Sequence, residues 1–484
     1  MADPKQLPYR IEDLEEQLNT KPSHPPNAKQ GFVKPPPTAT TELQAHEKPP
    51  LDSLINSYDF ESVASRTLSQ KTWAFYSSAA TDEITRDANK SSFDRIWWRP
   101  RVLRDVSGVD TRSRILGNEV QLPLFVSPAA MARLVHPEGE KAIAAACGNK
   151  GVAQTASLTP TRRGGGTPQK EGGTPRGGRG GTPRSVHSVT NLHLQLRGEW
   201  ASGQDISTNA SYPVTDILPN APANHPFFFQ LYVNRDRQAS ERMLASLPKG
   251  IKAIFVTVDA PVPGKREADE RVRADEALSA PMTGARAVND KKGGGLGRIM
   301  GSYIDASLTW DDLRWLRSVT DLPIVLKGVQ GAADARLAAQ AGVQGIILSN
   351  HGGRSLDTAP PSILILLELQ KCAPEVFEKL EVYVDSGIRR GTDILKCLCL
   401  GATAVGMGRH FLYALNYGRE GVEHFIDVMR DELETSMKLI GITDLSQVHP
   451  GLVNTLEVDH LIPSTLDHPY AKWSKSRGFP KARL

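Results

Sequence analysis

Apolar and polar positions follow one another in blocks along most of this chain. Eight short apolar runs recur, at 124–127 (LFVS), 152–156 (VAQTA), 227–233 (FFFQLYV), 254–259 (IFVTVD), 324–327 (IVLK), 346–349 (IILS), 382–385 (VYVD) and 404–407 (AVGM). They are continuous rather than alternating, and rich in β-branched and aromatic residues, which marks strands buried on both faces. Stretches of helical character lie among them, at 139–147, 237–247, 310–316, 332–341, 362–369, 390–400 and 421–440. Eight strands alternating with helices predict a closed parallel sheet wrapped in helices, an α/β TIM (β/α)8 barrel. Upstream, a helical pattern runs over Phe60–Phe75 with Asp59 or Ser57 as its cap, and a short β-like segment spans Ile115–Gln121.

The polar residues that interrupt these runs fall at their C-terminal ends. The third run ends in Gln230 and Tyr232, the fourth in Thr257 and Asp259, and the fifth in Lys327. The sixth ends in Ser349, Asn350 and His351, followed by Gly352, Gly353 and Arg354; the seventh in Asp385, Gly387 and Arg389; the eighth in Gly408 and Arg409. In a barrel these ends line one mouth, so positions scattered along the chain converge there. The stretch IILSNHGGRSLD (346–357) is the densest of them. Its glycines permit close backbone approach, its imidazole can take a proton near neutral pH, and its guanidinium can grip a carboxylate bidentately.

Two segments break the rhythm. Residues 1–50 are rich in proline, polar and charged groups, and read as a disordered arm ahead of a barrel domain over 51–484. Residues 158–206 are of low complexity, with GGTP at 165–168, 172–175 and 180–183, and lack the hydrophobic period needed to bury a core. With this insertion removed, 152–156 joins 207–218 as strand, loop and helix. The insertion reads as translated non-coding sequence, or as a disordered regulatory loop whose Thr-Pro sites could be phosphorylated.

Composition narrows the picture further. A formal charge of +4 over 484 residues gives no case for nucleic-acid binding. Cys147, Cys372, Cys397 and Cys399 show neither metal-ligand spacing nor a disulfide framework, which favours a reducing compartment and no metal site. No apolar run approaches the roughly 20 residues of a membrane helix, and the N-terminus MADPKQLPYR has no secretory signal.

SNHGGR (349–354), VTVDAPVPGKREAD (256–269), LPIVLKGV (322–329), FQLYV (229–233) and VDSGIRRGTDILKCLCLGA (384–402) resemble the FMN-dependent 2-hydroxy acid dehydrogenases and oxidases. That family includes glycolate oxidase, lactate oxidase, mandelate dehydrogenase and the lactate dehydrogenase flavocytochromes. The resemblance runs from Ser57 to about Gly451 apart from the insertion, and is strongest to the flavin part of the flavocytochromes. The His-Pro-Gly-Gly ligand motif of their haem domain is missing, so haem is not implied. It implies FMN, with the backbone around Gly387 and Gly408 and the guanidiniums of Arg389 and Arg409 at its phosphate. Lys327 would sit beside the flavin N1/C2 carbonyl. Gln230, Thr257, Ser349, Asp385 and a serine ending the second strand, either Ser207 or Ser157, would meet the ring, with Ser127–Ala130, including Ala129, as the wall beside it.

For the chemistry, the resemblance implies His351 as general base and Asp259 as the carboxylate that holds its imidazolium. Arg354 and Arg266 would bind the substrate carboxylate, and Tyr232 its hydroxyl or developing oxo group. The substrate would be a small L-2-hydroxy acid oxidised to the 2-oxo acid, with His351 taking either the α-proton or the hydroxyl proton. Oxygen, a cytochrome or a quinone would accept the electrons, in a homotetramer. Five positions depart from the family pattern. Phe75 stands where a tyrosine binds the substrate carboxylate, with Tyr76 one residue and about 100° away on a helix. Ser386 and His410 replace a glycine and a proline near the phosphate loop, and Ser355 replaces a glutamine. Asn209, at a position that meets the substrate side chain, favours a small or polar substrate. These changes, with the insertion, also allow an inactive relative. The terminal Ala482-Arg483-Leu484 resembles a peroxisomal address, against a cytoplasmic location.

Overall fold

The computed structural model describes residues 47–152, 154–155, 204–278 and 286–464. Residues 1–46 of the arm expected over 1–50, Ser157, the Thr-Pro sites and the terminal Ala482-Arg483-Leu484 lie outside the described residues. The N-terminal helical pattern is two helices rather than one, α1 (Ser57–Thr67) and α2 (Gln70–Ser77). Its cap is Asn56, whose side chain accepts from the Tyr58 and Asp59 amides while Asp59 reaches back to the cap backbone. Asp59 is thus the third residue of a capping box and Ser57 the first helical residue, so neither is the expected cap. Ser69 accepts from the Thr72 amide and restarts the chain as α2, which explains the break. A third helix, α3 (Ile84–Asp94), follows.

One parallel sheet carries the site. Its strands are β1 (Leu124–Val126), β2 (Gln154–Thr155), β3 (Gln204–Ser207), β4 (Phe227–Leu231), β5 (Ile251–Thr257), β6 (Ile324–Val329), β7 (Gly345–Leu348), β8 (Glu381–Asp385) and β9 (Ala404–Met407). They are ordered β1-β9-β8-β7-β6-β5-β4-β2-β3. β1 and β3, at the ends of that order, lie side by side and close the ring. The low-complexity segment interrupts the second stave: Gln154 and Gln204 both oppose Phe227, and Gln154 also opposes Gln204. The second stave therefore resumes at Gln204, inside the range set apart by composition, and Ser207 is its last residue, opposite Gln230.

Alternation along each strand explains both core and site. Phe125, Phe228, Phe255, Val325, Ile347, Tyr383 and Ala404 form a cluster of their own, plugged by Ile115 and Val120 of the hairpin Ser113–Ile115/Asn118–Val120. Phe228 and Phe255 stack at 5.1 Å, and Phe125 meets both Phe255 and Tyr383 edge-on. Their strand neighbours, such as Phe227, Phe229, Ile254, Val256, Ile324 and Leu326, belong to a second, larger cluster shared with the surrounding helices. Strands with a side-chain period of two thus fill the barrel with one set and the helix layer with the other. Two residues beyond six of these inner residues comes a polar one: Ser127 after Phe125, Gln230 after Phe228, Thr257 after Phe255, Lys327 after Val325, Ser349 after Ile347 and Asp385 after Tyr383, while Gly406 takes that place after Ala404. Register alone sets these six side chains on the roof of the barrel core. No helix among the described residues is long and apolar enough to cross a membrane.

Candidate functional site

The roof residues bond to one another in two groups. On β3, β4 and β5, Gln230 Oε1 accepts from Ser207 Oγ at 3.0 Å and from the Thr208 amide at 3.2 Å, while Gln230 Nε2 donates to Thr257 Oγ1 at 2.9 Å. Of the two serines expected there, Ser207 ends β3 opposite Gln230, and Ser157 lies outside the described residues. On β6, β7 and β8, Lys327 Nζ donates to Ser349 Oγ at 3.1 Å and lies 3.2 Å from Asp385 Oδ2, which also accepts from Ser127 Oγ at 3.4 Å. Lys327 is only 3% exposed. Burial would lower its pKa, but Asp385, Asp259 and Tyr232 outweigh that and hold the ammonium above its ordinary value. A protonated cation therefore sits under the mouth.

Above it, the chain after β7 turns through three left-handed residues, His351 (φ 60°), Gly352 (φ 67°) and Gly353 (φ 77°). Asn350 Oδ1 accepts from the Gly353 amide, and a Cβ at Gly353 would lie 2.7 Å from the Arg86 backbone of α3. Only glycine fits that approach. The turn brings His351 Nδ1 to 3.1 Å from Asp259 Oδ1 and His351 Nε2 to 3.4 Å from the Tyr232 hydroxyl. Burial, partly opposed by Asp259, lowers the His351 pKa below its ordinary value. Burial would raise Asp259, yet the His351 ring and Lys327 keep it below the usual carboxylate range. At neutral pH the pair is thus a neutral imidazole against an ionised carboxylate, the resting state of a general base. Burial pushes the Tyr232 hydroxyl up to about 12, so it stays a donor.

Arg266 and Arg354 face the same cavity of about 200 Å3. Their guanidinium carbons lie 5.4 and 5.2 Å from the centre of the Phe75 ring. Neither guanidinium has a carboxylate within 4 Å among the described residues; Arg354 donates to the Phe75 carbonyl at 2.8 Å. Burial lowers the pKa of both, and for Arg354 the proximity of Arg266 and Arg409 adds to it. Two crowded cations with no carboxylate within 4 Å among the described residues are suited to hold an anion. A short helix, α4 (Leu296–Met300), closes over them, and a Cβ at Gly297 would fall 1.2 Å from Arg266 Nη2. Tyr76 also lines the cavity, but its hydroxyl is not free to meet an anion there. Its hydroxyl is buried against the Ala130 and Met131 carbonyls at 2.9 and 2.8 Å, so it braces the wall that Ala129 also lines.

Gly387, Gly408, Arg389 and Arg409 line the same cavity. Arg389 is held by Asp94 Oδ1 at 2.7 Å and by Asp393 Oδ2 at 3.4 Å, while Arg409 donates to the Gly352 carbonyl. Glycine backbone, two guanidiniums, a buried lysine and the neutral polar row of β3, β4 and β5 suit a phosphorylated, electron-accepting ring. Sequence reasoning missed α3, whose Arg86, Asn89 and Lys90 line the cavity and whose Asn89 exchanges amide bonds with Asn350 at 2.8 and 2.9 Å. Nothing in its local pattern points to a site; only the barrel brings it there.

A model of the family described as FMN-dependent dehydrogenase matches residues 64–163 and 198–455. The chain belongs to the FMN-dependent dehydrogenase family. That match breaks within the low-complexity segment and resumes before β3. Among curated members, the L-lactate dehydrogenase (cytochrome) of Saccharomyces cerevisiae is 40% identical over 84% of this chain and 61% of its own length. Glycolate oxidase 3 of Oryza sativa subsp. indica is 34% identical over 82% of this chain and 95% of its own length. The chain thus spans under two thirds of the cytochrome-linked relative and nearly all of the oxidase. Among solved family structures, the flavin-binding domain of baker's yeast flavocytochrome b2 is 35% identical, with a TM-score of 0.67 over 90% of this chain and 95% of that one. A mandelate oxidase structure with (S)-4-hydroxymandelic acid is 30% identical, with a TM-score of 0.67 over 83% and 98%.

Proposed function

We propose that the chain oxidises a small L-2-hydroxy acid to the 2-oxo acid with FMN. The observation that carries this reading is the neutral His351, backed by Asp259, facing two carboxylate-free guanidiniums in one cavity over a protonated Lys327. Bound FMN supplies the acceptor for the two electrons the substrate loses. Its phosphate would rest at Gly387, Gly408, Arg389 and Arg409, and its ring over Lys327, Gln230 and Thr257. Arg266 and Arg354 grip the substrate carboxylate and fix the carbon to be oxidised. Tyr232 donates to the substrate oxygen. His351 Nε2 takes the proton, and Asp259 steadies the imidazolium that results. Lys327 holds positive charge where negative charge grows during reduction.

Asn209 also lines the cavity, buried to 6% exposure, and its Oδ1 accepts from the Tyr303 hydroxyl at 3.5 Å. An amide on that wall favours a small or polar substituent on the substrate. The test is an anaerobic visible spectrum of the purified chain before and after addition of L-lactate or glycolate. Yellow protein that bleaches supports the reading, and readmitted oxygen then separates oxidase from dehydrogenase. Protein that stays colourless with added FMN overturns it in favour of the inactive alternative.

A further inference from the structure

Ser386 follows β8 with φ at 77°, a left-handed conformation that glycine adopts freely and an L side chain does not. A serine held there has a compensating bond, and Ser386 has two. Its hydroxyl accepts from the Gly352 amide at 2.8 Å and donates to Asp385 Oδ1 at 2.8 Å. The first partner is the residue after His351, in the turn that also carries Arg354. The second is the carboxylate whose other oxygen pairs with Lys327 at 3.2 Å. On the opposite side of the same turn, Ser349 Oγ accepts from both the His351 amide, at 3.0 Å, and Lys327 Nζ, at 3.1 Å.

These bonds make a ring: Lys327, Ser349, the His351–Gly352 backbone, Ser386, Asp385, and back to Lys327. Every link is a direct side-chain or backbone-amide contact, and Lys327, Ser349 and Asp385 are all buried. We propose that Ser386 is a positioning residue that ties the turn carrying His351 to the Lys327–Asp385 ion pair and so tunes how strongly Lys327 favours cofactor reduction. This rests on the FMN reading above. While its hydroxyl donates to Asp385, part of that carboxylate's charge is spent on Ser386 and less of it neutralises Lys327. Without the hydroxyl, Asp385 turns wholly to Lys327, and the lysine's field on a reduced, negatively charged cofactor weakens.

The test compares Ser386→Gly and Ser386→Ala with the wild-type holoprotein, reading the two-electron midpoint potential of the bound FMN and, separately, the rate of its reduction by lactate or glycolate. Both variants remove the hydroxyl; Ser386→Gly also frees the backbone, so misfolding of Ser386→Ala leaves it as the deciding variant. The expected result is a reduction equilibrium about tenfold less favourable, a fall of about 30 mV, with slower reduction. A role confined to holding the turn would slow reduction and leave the potential unchanged, and that outcome, or a wild-type rate and potential in Ser386→Gly, overturns the coupling. Wild-type protein that takes up no FMN overturns the flavin reading, and this proposal with it.

Discussion

Replacing Phe75 with tyrosine should tighten substrate binding without altering the proton-transfer apparatus. Phe75 is buried, and the two guanidiniums that face its ring are those without a carboxylate partner. A tyrosine keeps the cation–ring contacts, worth about 0.5–2 kcal/mol each, and adds a donor beside the carboxylate that Arg266 and Arg354 hold. A hydrogen bond to a charged group contributes about 1.5–3 kcal/mol. Because the cavity is open to solvent, the lower end applies, which is about tenfold in affinity. The assay is rapid-mixing anaerobic reduction of the flavin over a range of substrate concentrations, which separates the dissociation constant from the limiting rate. Phe75→Tyr should lower the dissociation constant about tenfold and leave the limiting rate within a factor of about two. Phe75→Leu, which loses both ring contacts, should raise it. An unchanged constant in Phe75→Tyr refutes the placing of the substrate carboxylate between these arginines.

Other perturbations probe the remaining parts. Asp259→Asn removes the charge 3.1 Å from His351 Nδ1; at an effective dielectric of ~20 such a pair is worth ~4 kcal/mol, so flavin reduction should slow about a thousandfold, and a loss below about tenfold would refute the role. In the wild type, His351 must be neutral to act, and its pKa lies below the ordinary value. The reduction rate should therefore rise with pH through a midpoint under 6.5 and then level off; a midpoint above 6.5 contradicts the burial argument. Gly297→Ala places a methyl where Arg266 Nη2 lies, and should weaken substrate binding while FMN affinity, read by flavin fluorescence, stays as it was. His225 is 2% exposed and burial lowers its pKa from 6.5 to about 3. Its neutral form is bound by the fold, so the stability it contributes is complete above pH 6.5 and falls as pH drops toward 3, by about 1.4 kcal/mol per unit. His225→Phe should reduce the difference in unfolding free energy between about pH 7.5 and about pH 5 by roughly 2 kcal/mol; an unchanged difference refutes it.

How far the site could be read from the chain depends on the kind of residue. Asp259, Lys327 and His351 each end an apolar run and Arg354 follows the glycine pair after one, so a local pattern points to them. Arg86, Asn89 and Lys90 lie on a polar helix without such a mark, and Ser386 looks like a lost glycine until its two bonds are seen. Tyr76 against Phe75 is a third case. Helical geometry puts them about 100° apart, but which of them faces the arginines is decided by the Ala130 and Met131 carbonyls that capture the Tyr76 hydroxyl. The single helix expected over Phe60–Phe75 failed because a serine cap, a side-chain hydrogen bond worth about 1 kcal/mol, outweighs continuous periodicity.

By itself, the sequence determined the alternation of buried strands and helices, the barrel that follows from it, and the polar residues at the C-terminal ends of the strands. Those are local properties: a strand's period of two and the burial of both its faces are written into successive residues. Tertiary structure alone decided which stave resumes after the low-complexity segment, that Ser207 is the last residue of β3 opposite Gln230, and that Lys327, Ser349, Ser386 and Asp385 close on the His351 turn. Such contacts join residues far apart along the chain, and they exist only once ring closure brings the ends of the strands together.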